Sequence, residues 1–282
     1  MSVATIPRHS PEYPERLREL EDAPQLVWAI GDLATLRDPV VAVVGTRRAT
    51  SYGLRVTHDL VAALVRGGAC VVSGMALGID GAAHRAALEA GGRTVAVLGN
   101  GVDVAYPRAH RGLYQEIAER GLLLSEMPPG APSMKHHFVK RNRLIAALAR
   151  LTIVVEAPFK SGALKTADFA EALGRTVAVV PGPIDSPQSA GSNHYLREGA
   201  QVIASIDDAL TLAGLSPQKR GTIDVDSATE RQVWDALAAG AASLDELCAR
   251  SALPVAECLS AITGLELRGV VECALTGEIR RR

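Results

Sequence analysis

Seven short apolar runs recur between residues 40 and 205, and helical periodicity follows each one. The runs are VVAVV (40–44), ACVVS (69–73), RTVAVL (93–98), GLLLS (121–125), LTIVVE (151–156), RTVAVV (175–180) and QVIAS (201–205). They lack polar alternation, which predicts strands covered on both faces. The segments 53–66, 78–91, 109–119, 140–149, 163–173, 192–198 and 206–213 read as helices. A repeated βα alternation with right-handed crossovers predicts an α/β fold, a doubly wound and mostly parallel Rossmann-like sheet. Composition agrees: hydrophobic residues reach 48% while aromatics are only 4%, so the core is built from Ala, Val and Leu. Such a core suits helices packed on a sheet better than an aromatic-rich sandwich.

The length of 282 residues predicts a second, smaller domain beside the large one. Residues 1–39, broken by Pro11, Pro14, Pro24 and Pro39, form a lead-in expected to pack on one edge of the core domain, 40–214. The polar stretch 215–229 reads as a linker. Beyond it, 230–282 holds three short helical patterns and a hairpin-like end. Ser243 with Glu246 forms a capping box, and the whole suggests a winged helix. Cys70, Cys248, Cys258 and Cys273 contain no CxxC pair, which points away from disulfides and structural zinc and toward a reducing compartment. There is no apolar leader and no long apolar span, so a cytoplasmic protein without a membrane segment is expected.

Ligands of doubly wound sheets bind at the carboxyl ends of the strands. Those ends carry Gly45-Thr46-Arg47, Ser73-Gly74-Met75, Gly99-Asn100-Gly101 and Pro181-Gly182-Pro183, loops that suit close backbone approach to an anion. No familiar nucleotide motif fits. Leu164 stands where a P-loop needs Gly before Lys165-Thr166, and VVSGM is no nucleophile elbow around Ser73. His136 and His137 are adjacent, so their rings are expected to point apart and a metal site is not expected there. Thirty basic residues against 31 acidic ones exclude a uniformly basic protein, so any polyanion site is a local patch. One patch stands out. Between Met127 and Val155 there is no acid, while Lys135, His136, His137, Lys140, Arg141, Arg143 and Arg150 crowd around Phe138. Cations neutralise phosphates and an exposed ring stacks an unpaired base. A solvated basic helix face with Phe138 in the core fits the same run. In the C-terminal segment Glu257 and Glu266 oppose Arg268, a poor charge for reading duplex DNA. Arg280, Arg281 and Arg282 offer phosphate contacts, and a protein-binding role fits equally.

The blocks GTRRATSYG, SGMALGIDGAAH, GRTVAVLGNGVDVAYP, LLLSEMPPG, FVKRNRLIAAL, VVEAPFKSGALKTADFAEALGRTVAVVPGP and GSNHYLREGA resemble, in this order from about Tyr13 to Leu212, the DNA-processing DprA/Smf family. The resemblance implies an extended Rossmann domain that binds single-stranded DNA without strong sequence preference. It implies protection of incoming strands in natural transformation, help in loading a RecA-type recombinase, a homodimer, no cofactor and no enzymatic turnover. Carried over, the DNA site includes Arg47, Lys135 and Phe138. It also includes Arg141, Asn142 and Arg143 of the R-N-R segment, with their facing left open. Arg108 is a weaker phosphate contact, and Ser73 and Gly74 are possible backbone donors. Val139 stands where the family often has Pro, and His110 where it often has Asn. The competing reading is a Rossmann-type nucleoside monophosphate hydrolase using Asp80, Glu126 or Glu156. Such hydrolases carry P-G-G-x-G-T, whereas residues 181–186 read P-G-P-I-D-S.

Overall fold

The computed structural model describes residues 2–37, 39–216, 227–274 and 277–281. Most of the expected linker, 217–226, and Arg282 of the terminal basic trio lie outside them. Contacts divide the chain into two compact units, residues 1–217 and 218–282.

The lead-in supplies two strands, β1 (Ala4–Pro7) and β2 (Leu26–Gly31). The seven expected strands follow as β3 (Val40–Val44), β4 (Cys70–Ser73), β5 (Thr94–Leu98), β6 (Leu122–Ser125), β7 (Leu151–Val154), β8 (Thr176–Val179) and β9 (Gln201–Val202). Among the described residues they form one nine-stranded sheet in the order β1-β2-β6-β5-β4-β3-β7-β8-β9. From β6 to β9 every pairing is parallel, whereas β2 joins β6 antiparallel, with Trp28 opposite Ser125. The prolines of the lead-in hid these two strands. Leu26–Gly31 is a continuous apolar run whose partner lies almost a hundred residues away, so no local turn signal announces it.

Six helices cross between the parallel strands, α1 (Ser51–Arg66), α2 (Ile79–Glu89), α3 (Arg111–Arg120), α4 (Lys135–Leu148), α5 (Gly162–Ala172) and α6 (Ala190–Arg197), and α7 (Ile206–Leu212) follows β9. The two faces of β3 show how they are sorted. Val40, Ala42 and Val44 pack with Leu144, Ala147 and Ala167 of α4 and α5. Val41 and Val43 pack with Leu60, Leu64 and Ile79 of α1 and α2 on the other face. The period of two along the strand therefore divides one apolar run between two helical layers. The chain winds outward one way through β4, β5 and β6, then the other way through β7, β8 and β9. This makes the β3/β7 boundary the switch point of the sheet.

The terminal unit contains α8 (Ala228–Ala236), α9 (Leu244–Ser251), α10 (Val255–Leu267) and the antiparallel pair β10 (Val271–Cys273) and β11 (Ile279–Arg281). Ser243 and Glu246 make the expected capping box. Val233, Leu247, Cys258, Ile262 and Leu265 belong to a separate small core.

Candidate nucleic-acid interface

The site grows from the ends of β3, β4 and β5 and from the first turns of α4. Beyond β3, the Thr46 backbone N–H donates to the Glu156 carbonyl (2.6 Å), which ties this loop to the exit of β7. Gly78, at φ 78°, lets α2 begin against the loop, where a side chain would run into the Thr46 carbonyl. Arg47 is left projecting from the rim, exposed.

Helix α4 begins five residues earlier than the periodicity predicts, at Lys135 instead of 140. Val139 makes this possible, since a proline there would be disfavoured inside the helix. Phe138 is thereby helical and half-buried. It lies across Gly99 at the end of β5, where an added Cβ would come within 2.7 Å of the ring. Tyr106 stacks on Phe138, with ring centroids 5.4 Å apart and planes inclined by 28°. The Arg47 guanidinium lies over the same Phe138 ring at 5.8 Å. Arg47, Gly74, Met75, Asn100, Tyr106, Phe138 and Arg141 line one concavity. Lys135 is exposed one turn before Phe138, on the same face of α4. Arg108 is exposed just beyond Tyr106.

Arg141 forms the floor. Its Nη1 donates to the carbonyls of Gly74 (2.7 Å) and Val97. Burial lowers its pKa to about 10, against the opposing pull of Asp80. Asp80 is itself buried and accepts from the backbone N–H groups of Gly74 (3.2 Å) and Ala76 (3.4 Å). Desolvation pushes its carboxyl upward, while Arg141 and these amides hold it down. A Cβ at Gly74 would overlap the Arg141 guanidinium, so only glycine lets the two elements close.

The structure corrects three expectations, for Ser73, for Gly74 and for the histidine pair, and gives the facing of Asn142 and Arg143, which the sequence left open. Ser73 is fully buried and donates its hydroxyl to the Val43 carbonyl (2.7 Å), because it still lies within β4. The Gly74 amide, expected to meet phosphate, is aimed inward at Asp80. Asn142 and Arg143 also face the protein. Asn142 donates to the Gly162 carbonyl (3.0 Å) at the start of α5. Arg143 bridges Glu126 (2.8 Å) and Asp22 (2.7 Å), clamping the lead-in to the core unit. The His136 and His137 rings do not point apart but meet edge-on, 4.3 Å between centroids. Among the described residues, no group of three His, Cys, Asp or Glu is placed to hold a metal. Tyr106 is the site residue that the sequence reading passed over, although an aromatic residue in a strand-exit loop was a visible signal.

In the terminal unit Arg268, Arg280 and Arg281 are engaged locally. Arg281 lies over Trp234 at 4.1 Å, Arg280 pairs with Glu272 (3.2 Å), and Arg268 pairs with Glu230. Val255, Leu259 and Leu267 of α10 are exposed.

Comparison with known proteins decides the family. Residues 4–214 match the family described as DNA recombination-mediator protein A, and residues 217–274 match the DprA winged helix domain. The chain belongs to the DNA recombination-mediator protein A family. It is 47% identical over 268 residues to the putative DNA processing protein DprA of Mycobacterium tuberculosis, covering 92% of this chain and 69% of the relative. It is 44% identical over 198 residues to DprA of Streptococcus pneumoniae, covering 70% of each. The solved Streptococcus pneumoniae DprA superimposes with a TM-score of 0.72 at 41% identity, over 75% of this chain and 74% of that one. DprA of Helicobacter pylori, solved for its single-stranded DNA binding mode, gives a TM-score of 0.70 at 34% identity, over 76% of this chain and 97% of that one. No described helix of this family member is long and apolar enough to cross a membrane.

Proposed function

We propose that this chain binds single-stranded DNA without sequence preference along the carboxyl edge of its sheet. In this role it protects incoming strands during natural transformation and delivers them to a RecA-type recombinase in the cytoplasm. The carrying observation is the convergence of Arg47 on Phe138, beside Tyr106. A ring stack accepts any base, and Arg47, Lys135 and Arg108 supply cations for the phosphates on either side. Support comes also from the Helicobacter pylori relative, whose described property is binding of single-stranded DNA.

The role is binding without turnover. A nucleoside monophosphate hydrolase needs a carboxylate free to act on a sugar–base bond. Asp80 faces Arg141 and two amides, and Glu126 is bonded to Arg143. Glu156 is buried and accepts from the Thr50 N–H (2.9 Å) and hydroxyl (2.5 Å). For a homodimer, the open edge of β9 is the natural meeting face, since Val202 in that strand and Ile206 at the start of α7 just after it are exposed.

Titration of labelled oligo-dT against the full chain and its Arg47→Ala and Phe138→Ala variants tests the reading. Weaker binding in both variants supports it, and unchanged affinity in both removes the site. Turnover on a panel of nucleoside monophosphates would replace it with the hydrolase.

A further inference from the structure

The loops leaving β3 and β7 run side by side and then part. They are joined where Thr46 donates to the Glu156 carbonyl and where Thr50 bonds the Glu156 carboxylate. Past this point α1 turns to one face of the sheet and α5 to the other, which opens a crevice at the switch point. Arg47 stands on one lip.

On the other lip stands Phe159, three residues beyond Glu156. It is one of only three Phe residues in the chain, yet it is 59% exposed. Its loop is held in place with the ring outward. The backbone N–H groups of Gly191 and Ser192 both donate to the Ala157 carbonyl (2.9 Å each). Gly191 packs so closely on Pro158 that a Cβ would lie 2.7 Å from its carbonyl oxygen. His194 of α6 supports the ring from one side, with centroids 5.5 Å apart. Lys160 follows with φ 60°, a left-handed conformation uncommon for a lysine, and its side chain is exposed. This bend lets Ser161 cap α5, accepting from the Ala163 N–H (3.3 Å). The first turn of α5 carries no acid, so its free amides add to the positive field of Lys160. Asn142 ties the start of α5 back to α4, the helix that carries Phe138.

We propose that Phe159 and Lys160 form a second stacking platform for single-stranded DNA. The Phe159 ring takes a base and the Lys160 ammonium takes an adjoining phosphate of the same strand that Phe138 and Arg47 hold. The proposal rests on the reading of the Arg47–Phe138 pocket as the single-strand site. Phe138 lies over the end of β5, and the order β5-β4-β3-β7 puts three interstrand steps, about 14 Å, between the two platforms. A stretched single strand crosses that distance within a few nucleotides, past Arg47 on the way.

The test uses the full chain and an oligo-dT of about 8 nucleotides, read by anisotropy over a range of salt. The same oligomer carrying a single 2-aminopurine at successive positions reports stacking as quenching. Phe159→Ala is expected to weaken binding roughly tenfold and to relieve quenching at one position, while Phe159→Trp retains both. Phe138→Ala is expected to relieve a different position, and Lys160→Ala to lower the magnitude of the log–log salt slope by about 0.7. Unchanged affinity in Phe159→Ala overturns the second platform. So does relief of the same position that Phe138→Ala relieves, or a change of oligomeric state in place of a change in quenching. If Phe138→Ala binds and quenches like the wild type, the pocket reading itself fails, a result distinct from failure at Phe159 alone.

Discussion

The Arg47 guanidinium carbon lies 5.8 Å from the centre of the Phe138 ring. One side chain comes from the loop after β3 and the other from α4, ninety-one positions later, so only the fold brings them together. The cation rests on the face of the ring. In the proposed site a base arriving at Phe138 would compete for that face and turn Arg47 toward phosphate.

The two residues are therefore expected to fail differently. Phe138→Ala removes a stacking surface and should cost about 1–3 kcal/mol of single-strand affinity with little change in salt dependence. Arg47→Ala removes a phosphate contact and should lower the magnitude of the log–log salt slope by about 0.7. Oligo-dT titrations at several salt concentrations separate them. Identical slopes for wild type and Arg47→Ala would place Arg47 off the DNA path.

Tyr106 extends the same stack, 5.4 Å from Phe138 and 40% exposed. Tyr106→Ala should weaken oligo-dT binding by roughly 1 kcal/mol or more, and Tyr106→Phe should keep wild-type affinity because the ring face is what matters. Loss of affinity in Tyr106→Phe equal to that in Tyr106→Ala would assign the effect to the hydroxyl instead.

The core strands were legible because a fully buried parallel strand is a short uninterrupted apolar run, and seven such runs marked seven strands. The lead-in strands were not, since β2 joins the sheet by long-range pairing with β6 and β1 joins it only through β2. The basic run was legible as a cluster, but not the direction of each cation. Arg141 and Arg143 are two apart on α4 and so point to different sides of it. Which side meets the pocket depends on the Gly74 and Val97 carbonyls for Arg141 and on Asp22 and Glu126 for Arg143. Those partners lie elsewhere in the sequence and carry no spacing signature. Tyr106 shows the converse: its residue type was visible, and only its stacking on Phe138 gives it a role.

Asp80 and Arg141 are both buried in the floor of the pocket, and each favours the charged form of the other across it. Arg141→Met takes away the charge that favours the Asp80 carboxylate, which keeps its bonds from the Gly74 and Ala76 amides, and Asp80→Asn takes away the charge that favours the Arg141 guanidinium. Each single change should destabilise the fold by about 1–3 kcal/mol, whereas the double variant should recover part of that loss. Urea unfolding of the four proteins measures the coupling. Additive losses would mean that the two groups do not act as a pair.

His84 links stability to pH. Its ring is fully buried, with Nδ1 2.8 Å from the Thr94 hydroxyl and Nε2 accepting from the Met75 N–H (3.3 Å). Thr94 in turn donates to the Val71 carbonyl (2.6 Å), so the network is consistent with a neutral ring that donates from Nδ1. Burial first, then the nearby His110 and Arg141 charges, lowers the His84 pKa from 6.5 to about 3. Between those values the unfolded chain binds a proton that the folded chain refuses. The stabilising effect is thus present above about pH 6.5 and is lost as pH falls toward about 3, with a slope of up to about 1.4 kcal/mol per pH unit. His84→Gln lacks this titration. It should be less stable than the wild type at neutral pH, through the disturbed bonds to Thr94 and Met75, and the gap should narrow steadily on acidification. Urea midpoints taken from about pH 7 down to about pH 4 measure that narrowing, and a gap of constant size across the range would show that His84 does not carry the proton linkage.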